Sequence, residues 1–250
     1  MIGELSLLGL DSAQLAVVAA IVVAGALVQG TIGIGFGIVL VPGLTLLAPA
    51  SVPATPLLLA LPLTVLIAHR ERSAIDRQGL PVLLVGRILG TIAAVVLLIW
   101  LTESALEILF GLVILGVIPL SLASPDIPFT RTNQLAAGAT SGLFATTAAI
   151  GGPPAALLYQ RRPGPELRAT LGALFLVGGL ISIIGLLAAQ RLAVDHLALA
   201  LVLAPAMVIG FALSRPLARV LDARWLRPAV LTFAGAAGAL AVLRGVLGLL

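Results

Sequence analysis

Two glycine-rich stretches and one arginine carry the chemistry this sequence offers. The first stretch runs Gln29-Gly30-Thr31-Ile32-Gly33-Ile34-Gly35-Phe36-Gly37 and reaches Pro42. The second runs Ser141-Gly142-Leu143-Phe144-Ala145-Thr146-Thr147-Ala148-Ala149-Ile150-Gly151-Gly152-Pro153-Pro154. Both lie in long uncharged segments, and aligned without gaps Gly30 falls on Gly142 and Pro42 on Pro154. Glycine and proline weaken or break a helix and free backbone N–H and C=O groups. In hydrocarbon such a break survives only where it is buried or lines a polar cavity. A half-helix that starts after a break turns free N–H groups and the positive end of its dipole into that cavity, which suits an anion. Gln29, Thr31, Thr140, Ser141, Thr146 and Thr147 stand at or beside the breaks and can donate further hydrogen bonds. Back-bonding of each hydroxyl to the preceding helical turn is the alternative.

Arg87 lies within the apolar run 80–101, and Arg244 within 229–250. A charge at membrane depth costs about 2.5–3.5 kcal/mol and usually faces a cavity or a partner. Glu107 is the nearest intramembrane acid, close to a span end, and no acid sits deep enough to neutralise both arginines. A bound anion is therefore a reasonable partner for Arg87; snorkelling to a basic surface is the other reading. His69 and His196, the only histidines, sit at span ends and are too few for a metal site. No metal and no cofactor are expected. Ala139-Thr140-Ser141-Gly142 has a partial likeness to the Gly-x-Ser-Gly of rhomboid intramembrane proteases, but its first position is alanine and His196 is expected near a surface. The sequence is read as not an enzyme, and it has no phosphate-binding Gly-Lys motif to drive pumping.

The elements that must hold these residues are membrane helices. The 250 residues are 60% hydrophobic and 10% charged, against roughly 25% charged in a soluble domain. Mean hydropathy is +1.22. All 14 basic residues are arginines, scattered through short loops, which argues against nucleic acid as a partner. Cysteine is absent, so disulfides and thiolate metal sites are excluded. Met1-Ile2-Gly3-Glu4 lacks the basic region that opens a signal peptide, and no lipidation is expected.

Charges and breaks divide the chain into a broken element near 13–48, spans near 54–68, 80–101 and 105–122, a second broken element near 134–158, and spans near 169–189, 196–213 and 229–250. This predicts a first repeat over 1–122, a connecting loop over 123–133 and a second repeat over 134–250. If each broken element enters and leaves on one side or crosses twice, the loops 69–78, 123–133, 160–168 and 214–228 share a side. That side then holds eleven of the 14 arginines. The positive-inside bias favours this arrangement, in which the two halves are inverted. Inverted repeats around a midplane site are the architecture of many secondary transporters. Gly86…Gly90 and Ala206…Gly210 take the same place in the two halves, with a spacing that lets helices approach closely.

Gly30-Thr31-Ile32-Gly33-Ile34-Gly35-Phe36-Gly37 followed by Pro42 resembles the first-repeat signature of the TauE/SafE sulfite exporter family, also called the toluene-sulfonate uptake permease family. Gly151-Gly152-Pro153-Pro154, with Arg168 after the next loop, is similar to its second-repeat signature. The resemblance covers nearly the whole chain. It implies a secondary transporter of sulfite, sulfoacetate or another organosulfonate, with protons as the supposed coupling ion. The expected fold is an all-α integral membrane protein of two inverted repeats, each of four to five transmembrane segments, with broken or re-entrant helices meeting near the midplane. The expected site has Gly33, Gly35, Gly37, Gly151 and Gly152 for close backbone approach, with Pro153 beside them. Thr31, Thr146 and Thr147 would be donors and Arg87 the charge partner. The expected location is the cytoplasmic (inner) membrane, and the partners are a small anion and the bilayer. A carrier of another small anion or carboxylate, and a non-transport structural membrane subunit, remain as alternatives.

Overall fold

The computed structural model describes residues 9–122, 127–217 and 223–248. Among these there is no strand, and ten α-helices carry the chain. They are α1 (Ser12–Ile32), α2 (Phe36–Leu47), α3 (Ala54–Arg70), α4 (Gly79–Trp100) and α5 (Glu103–Leu122), then α6 (Arg131–Ala148), α7 (Gly152–Tyr159), α8 (Gly164–Ala188), α9 (Val194–Leu217) and α10 (Ala223–Leu247). Four have the length and apolar character to cross a membrane: α1, α4, α8 and the stretch Val194–Ser214 of α9. The others include shorter apolar helices, among them α2, the second half of the first broken element, and α3. Much of the surface is apolar, as at Leu89, Ile92, Ile184 and Leu201.

Local chemistry explains the bounds. Asp11 caps α1: its side chain accepts from the Gln14 N–H (2.7 Å) while Gln14 Oε1 accepts from the Asp11 N–H (3.0 Å). Thr130 caps α6 through the Asn133 N–H. That places the start of α6 at Arg131, inside the stretch expected as connecting loop. Residues 123–126 of that loop and Arg219 lie outside the described residues, as do the side chains of Glu107, Arg215, Arg224 and Arg227.

The most extensive contacts join α4 to α6, α1 to α9, α3 to α8 and α5 to α10. Exchanging the first five helices for the last five maps this set of pairs onto itself. Glycine makes the α4–α6 seam. A Cβ at Gly86 would overlap the Leu135 carbonyl, one at Gly90 the Ala139 carbonyl, and one at Gly142 the Arg87 carbonyl. In the matching pair, Gly210 of α9 stands against the Val23 carbonyl of α1. Backbones meet with no side chain between them, as the glycine spacing predicts.

One end of the bundle gathers residues of three basic stretches. Arg168 Nε donates to both carboxylate oxygens of Glu71, at 2.9 and 3.0 Å. Arg70 Nη2 donates to the Gly30 carbonyl (2.6 Å), and its guanidinium lies over the Phe211 ring. Tyr159 donates to Asp76 Oδ2 (2.8 Å), Phe129 meets Tyr159 edge-on, and Arg162 lies over Phe129. At the other end Arg191 donates to the Leu98 and Leu101 carbonyls. There His196 accepts the Ala193 N–H at Nδ1, so its Nε2 donates to the Ala50 carbonyl (2.9 Å).

Candidate functional site

Each broken element turns at a residue in the left-handed region. Gly33 (φ 97°) ends α1, and after Ile34 the chain passes through Gly35 (φ 123°) into α2. Gln29 fastens this turn, since its Oε1 accepts the Phe36 N–H at 3.1 Å. In the second element Ala149 (φ 55°) ends α6, and Gly151 precedes α7. Here the Ala149 N–H returns to the Ala145 carbonyl and the Ile150 N–H to Phe144. Pro153 and Pro154 then occupy the first turn of α7, where their missing N–H groups cost least. The turns thus correspond as Gly33 to Ala149 and Gly35 to Gly151. This is one helical turn away from the Gly30–Gly142 pairing that glycine matching alone suggests. What the two turns share is a left-handed residue closing the first helix, which the second supplies with an alanine; the residues before the next helix differ, Gly35 at φ 123° and Gly151 at φ −83°.

The two tips touch. A Cβ on Gly37 would overlap the Ala149 carbonyl, so the start of α2 abuts the end of α6. Beside this contact sits Arg87. It is 1% exposed, which removes the snorkelling alternative. Its Nη1 donates to Ser141 Oγ at 2.8 Å, and Ser141 Oγ donates in turn to the Gly151 carbonyl at 2.6 Å. The guanidinium lies 5.8 Å from the Phe175 ring centroid. Gly178 of α8 leaves it room, for a Cβ there would collide with Arg87 Nε. That Nε is buried without a partner. Among the described residues no carboxylate pairs with Arg87.

A cavity of about 50 Å³ opens against Arg87. Gly35, Gly37, Gly151 and Gly152 line it from the two turns, with Gln29 from α1. Thr64 of α3 and Phe175 and Gly179 of α8 also line it, and apolar side chains such as Ile34, Leu57 and Ile150 make up much of the rest. A water-sized group needs at least about 10–15 Å³ by this measure, so there is room for roughly three or four such groups, the size of a small oxyanion.

The sulfite exporter TauE/SafE family matches residues 17–241, nearly the whole chain. The chain belongs to the TauE/SafE family. No curated protein and no solved structure gives a match. As a TauE/SafE member it is a multi-pass membrane transport protein of the inner membrane and not an enzyme. Ser141 fits that assignment, because its hydroxyl is engaged by Arg87 and the Gly151 carbonyl, while His196 binds Ala50 at the far end.

Five of the ten residues expected at the site of this TauE/SafE protein line the cavity: Gly35, Gly37, Arg87, Gly151 and Gly152. The others lie elsewhere. Gly33 packs against Arg168, and Pro153 is buried in the first turn of α7. Thr31 Oγ1 donates to the Leu27 carbonyl and Thr147 Oγ1 to Leu143, the back-bonding of a helical hydroxyl. Thr146 joins Thr91 and Ser182 in a buried hydroxyl cluster across α4, α6 and α8. Arg244, at the end of α10, reaches the Thr45 carbonyl. The contributions of α3 and α8 were not singled out in the sequence; the Gly178-Gly179 pair inside an apolar span is the one signal that marks α8.

Proposed function

We propose that this protein is a secondary transporter of a small sulfur-containing oxyanion, which it binds in the cavity beside Arg87 and moves by alternating access. The observation that carries this reading is Arg87 itself: a buried guanidinium with an unpartnered Nε and no carboxylate among the described residues, facing a cavity lined in part by glycine backbone. A buried charge without a counter-charge is costly, and an anionic cargo removes that cost. Gly35, Gly37, Gly151 and Gly152 bring main chain to within reach of the cargo, and Gln29 and Thr64 add polar side chains. The volume supports cargo of sulfite size over a bulky aryl sulfonate, with sulfoacetate or another organosulfonate requiring the cavity to open.

The same reading makes the two halves, 1–122 and 134–250, inverted repeats whose broken elements meet at the site. Its support is the exchange symmetry of the helix pairs and the gathering of basic stretches at one end. Motion of the other walls against the fixed α4–α6 seam, on alternate sides, would expose the cavity to each face in turn. Protons are the candidate coupling ion.

The deciding experiment is thermal unfolding of the purified protein against sulfite, sulfate, thiosulfate, sulfoacetate, taurine, acetate and chloride at matched ionic strength. A ligand at a hundredfold excess over its Kd stabilises the folded state by about 2.7 kcal/mol. Selective protection by a sulfur anion, lost in a folded Arg87→Ala variant, is expected. Protection by acetate alone would turn the reading to carboxylates. Protection by none would leave the glycines a packing role. Unchanged affinity in Arg87→Ala would remove Arg87 from the site.

A further inference from the structure

We infer that the cavity takes its cargo as a monoanion, so that a sulfur oxyacid enters as hydrogen sulfite and not as the sulfite dianion. This deepens the oxyanion reading above and rests on it. The argument is a charge balance. Arg87 is the only ionisable residue lining the cavity among the described residues. From the surrounding elements, α1 presents Gln29, α3 Thr64, α6 Ser141 and Ala145, and α8 Phe175, while α2 and α7 present glycines and apolar groups. None of these titrates. Arg168 and Glu71 at the basic end engage each other, and Asp76 is held by Tyr159 and the Gly79 N–H.

Helix dipoles do not add a second positive charge. At each turn a helix C-terminus lies beside a helix N-terminus, α1 with α2 and α6 with α7, so their partial charges offset. Gln29 already takes the Phe36 N–H, and Pro153 and Pro154 have none to offer. The formal charge to be matched is therefore one. A monoanion brings the closed site to neutrality. A dianion leaves one negative charge buried with no partner, which a low-dielectric site penalises as strongly as it penalises Arg87 alone.

The consequence reaches the coupling mechanism. Hydrogen sulfite carries a proton that the dianion lacks. A site that admits only the monoanion moves that proton together with the sulfur. Proton movement then needs no carboxylate in the cavity wall, and the wall has none.

The test uses the full-length purified protein and reads thermal protection at a series of pH values from mildly acidic to mildly alkaline. Each ligand sample is compared with ligand-free protein at the same pH. The probes are sulfite, which titrates within this range, methanesulfonate, a monoanion throughout, and sulfate, a dianion throughout. Above the pKa of hydrogen sulfite, the apparent Kd for total sulfite should weaken about tenfold for each pH unit. Methanesulfonate, where it binds, should show no such slope, and sulfate should not protect. A flat or rising sulfite affinity, protection by sulfate, or an equal slope for methanesulfonate would overturn the monoanion inference while leaving the oxyanion reading in place. No protection by any anion at any pH, in protein that remains folded, would remove both.

Discussion

At the scale of single residues, the site depends on bonds that span long stretches of chain. Arg87 is held by Ser141, 54 residues away, which also ties down the Gly151 carbonyl. Ser141→Ala removes an acceptor from a buried guanidinium and a donor from a buried carbonyl. The expected loss is about 1–3 kcal/mol in thermal or denaturant unfolding, together with weaker anion protection, since the cation is no longer fixed. Ala149 offers the opposite case. It is a non-glycine residue at φ 55°, a conformation that costs an L-residue roughly 1–2 kcal/mol. Ala149→Gly should therefore stabilise the fold by up to about 1 kcal/mol, once the extra freedom of the unfolded glycine is subtracted, and so raise the melting temperature. Gly37→Ala should do the reverse and more, because the new methyl would drive into the Ala149 carbonyl. The sequence made the arginine and the glycines legible, since charge and missing side chains stand out in an apolar run. It did not reveal the fate of Thr31, Thr146 and Thr147. A hydroxyl in a membrane helix satisfies itself locally or with a neighbour, and only the packing decides which.

At the scale of elements, the segment Glu71–Gln78 between α3 and α4 is pinned to the second half by charge. Burial by itself would raise the Asp76 carboxyl above its ordinary value. Hydrogen bonds from the Gly79 N–H, the Tyr159 hydroxyl and the Gln78 N–H, with the nearby Arg162 charge, outweigh this and hold it below the ordinary carboxyl value. A carboxyl held low stabilises the fold fully above its unfolded pKa and loses that contribution as pH falls through the lower folded value. Unfolding of the wild type should thus show an acid-side loss below about pH 4 that Asp76→Asn flattens, with the variant less stable at neutral pH. The bounds of the elements were largely readable. Breaks at Gly33–Gly37 and Gly151–Pro154 and the charged loops delimit helices that mostly begin and end within four residues of expectation, while α8 and α10 start five and six residues early. The register of the two turns was not readable, because Ala149 does the work of Gly33 without being a glycine. The walls from α3 and α8 were equally hidden, as their lining residues are ordinary span residues brought inward by the tertiary arrangement.

At the scale of the whole molecule, the two ends differ in charge, and the absence of cysteine makes that difference measurable. Arg77 is exposed at the basic end and Asp195 is exposed next to His196 at the other. In intact cells an impermeant maleimide should label Asp195→Cys, and should label Arg77→Cys only after the membrane is opened, as the positive-inside bias requires. The reverse pattern would place the basic end outside. The glycine seam sets a further condition on how the bundle moves. Where α4 and α6 meet main chain to main chain at Gly86, Gly90 and Gly142, a slide of even part of a turn would run a carbonyl into a Cα. The two helices are geared together. Arg87 on one and Ser141 on the other are consequently joined as a single strut, and the cation keeps one position against α6.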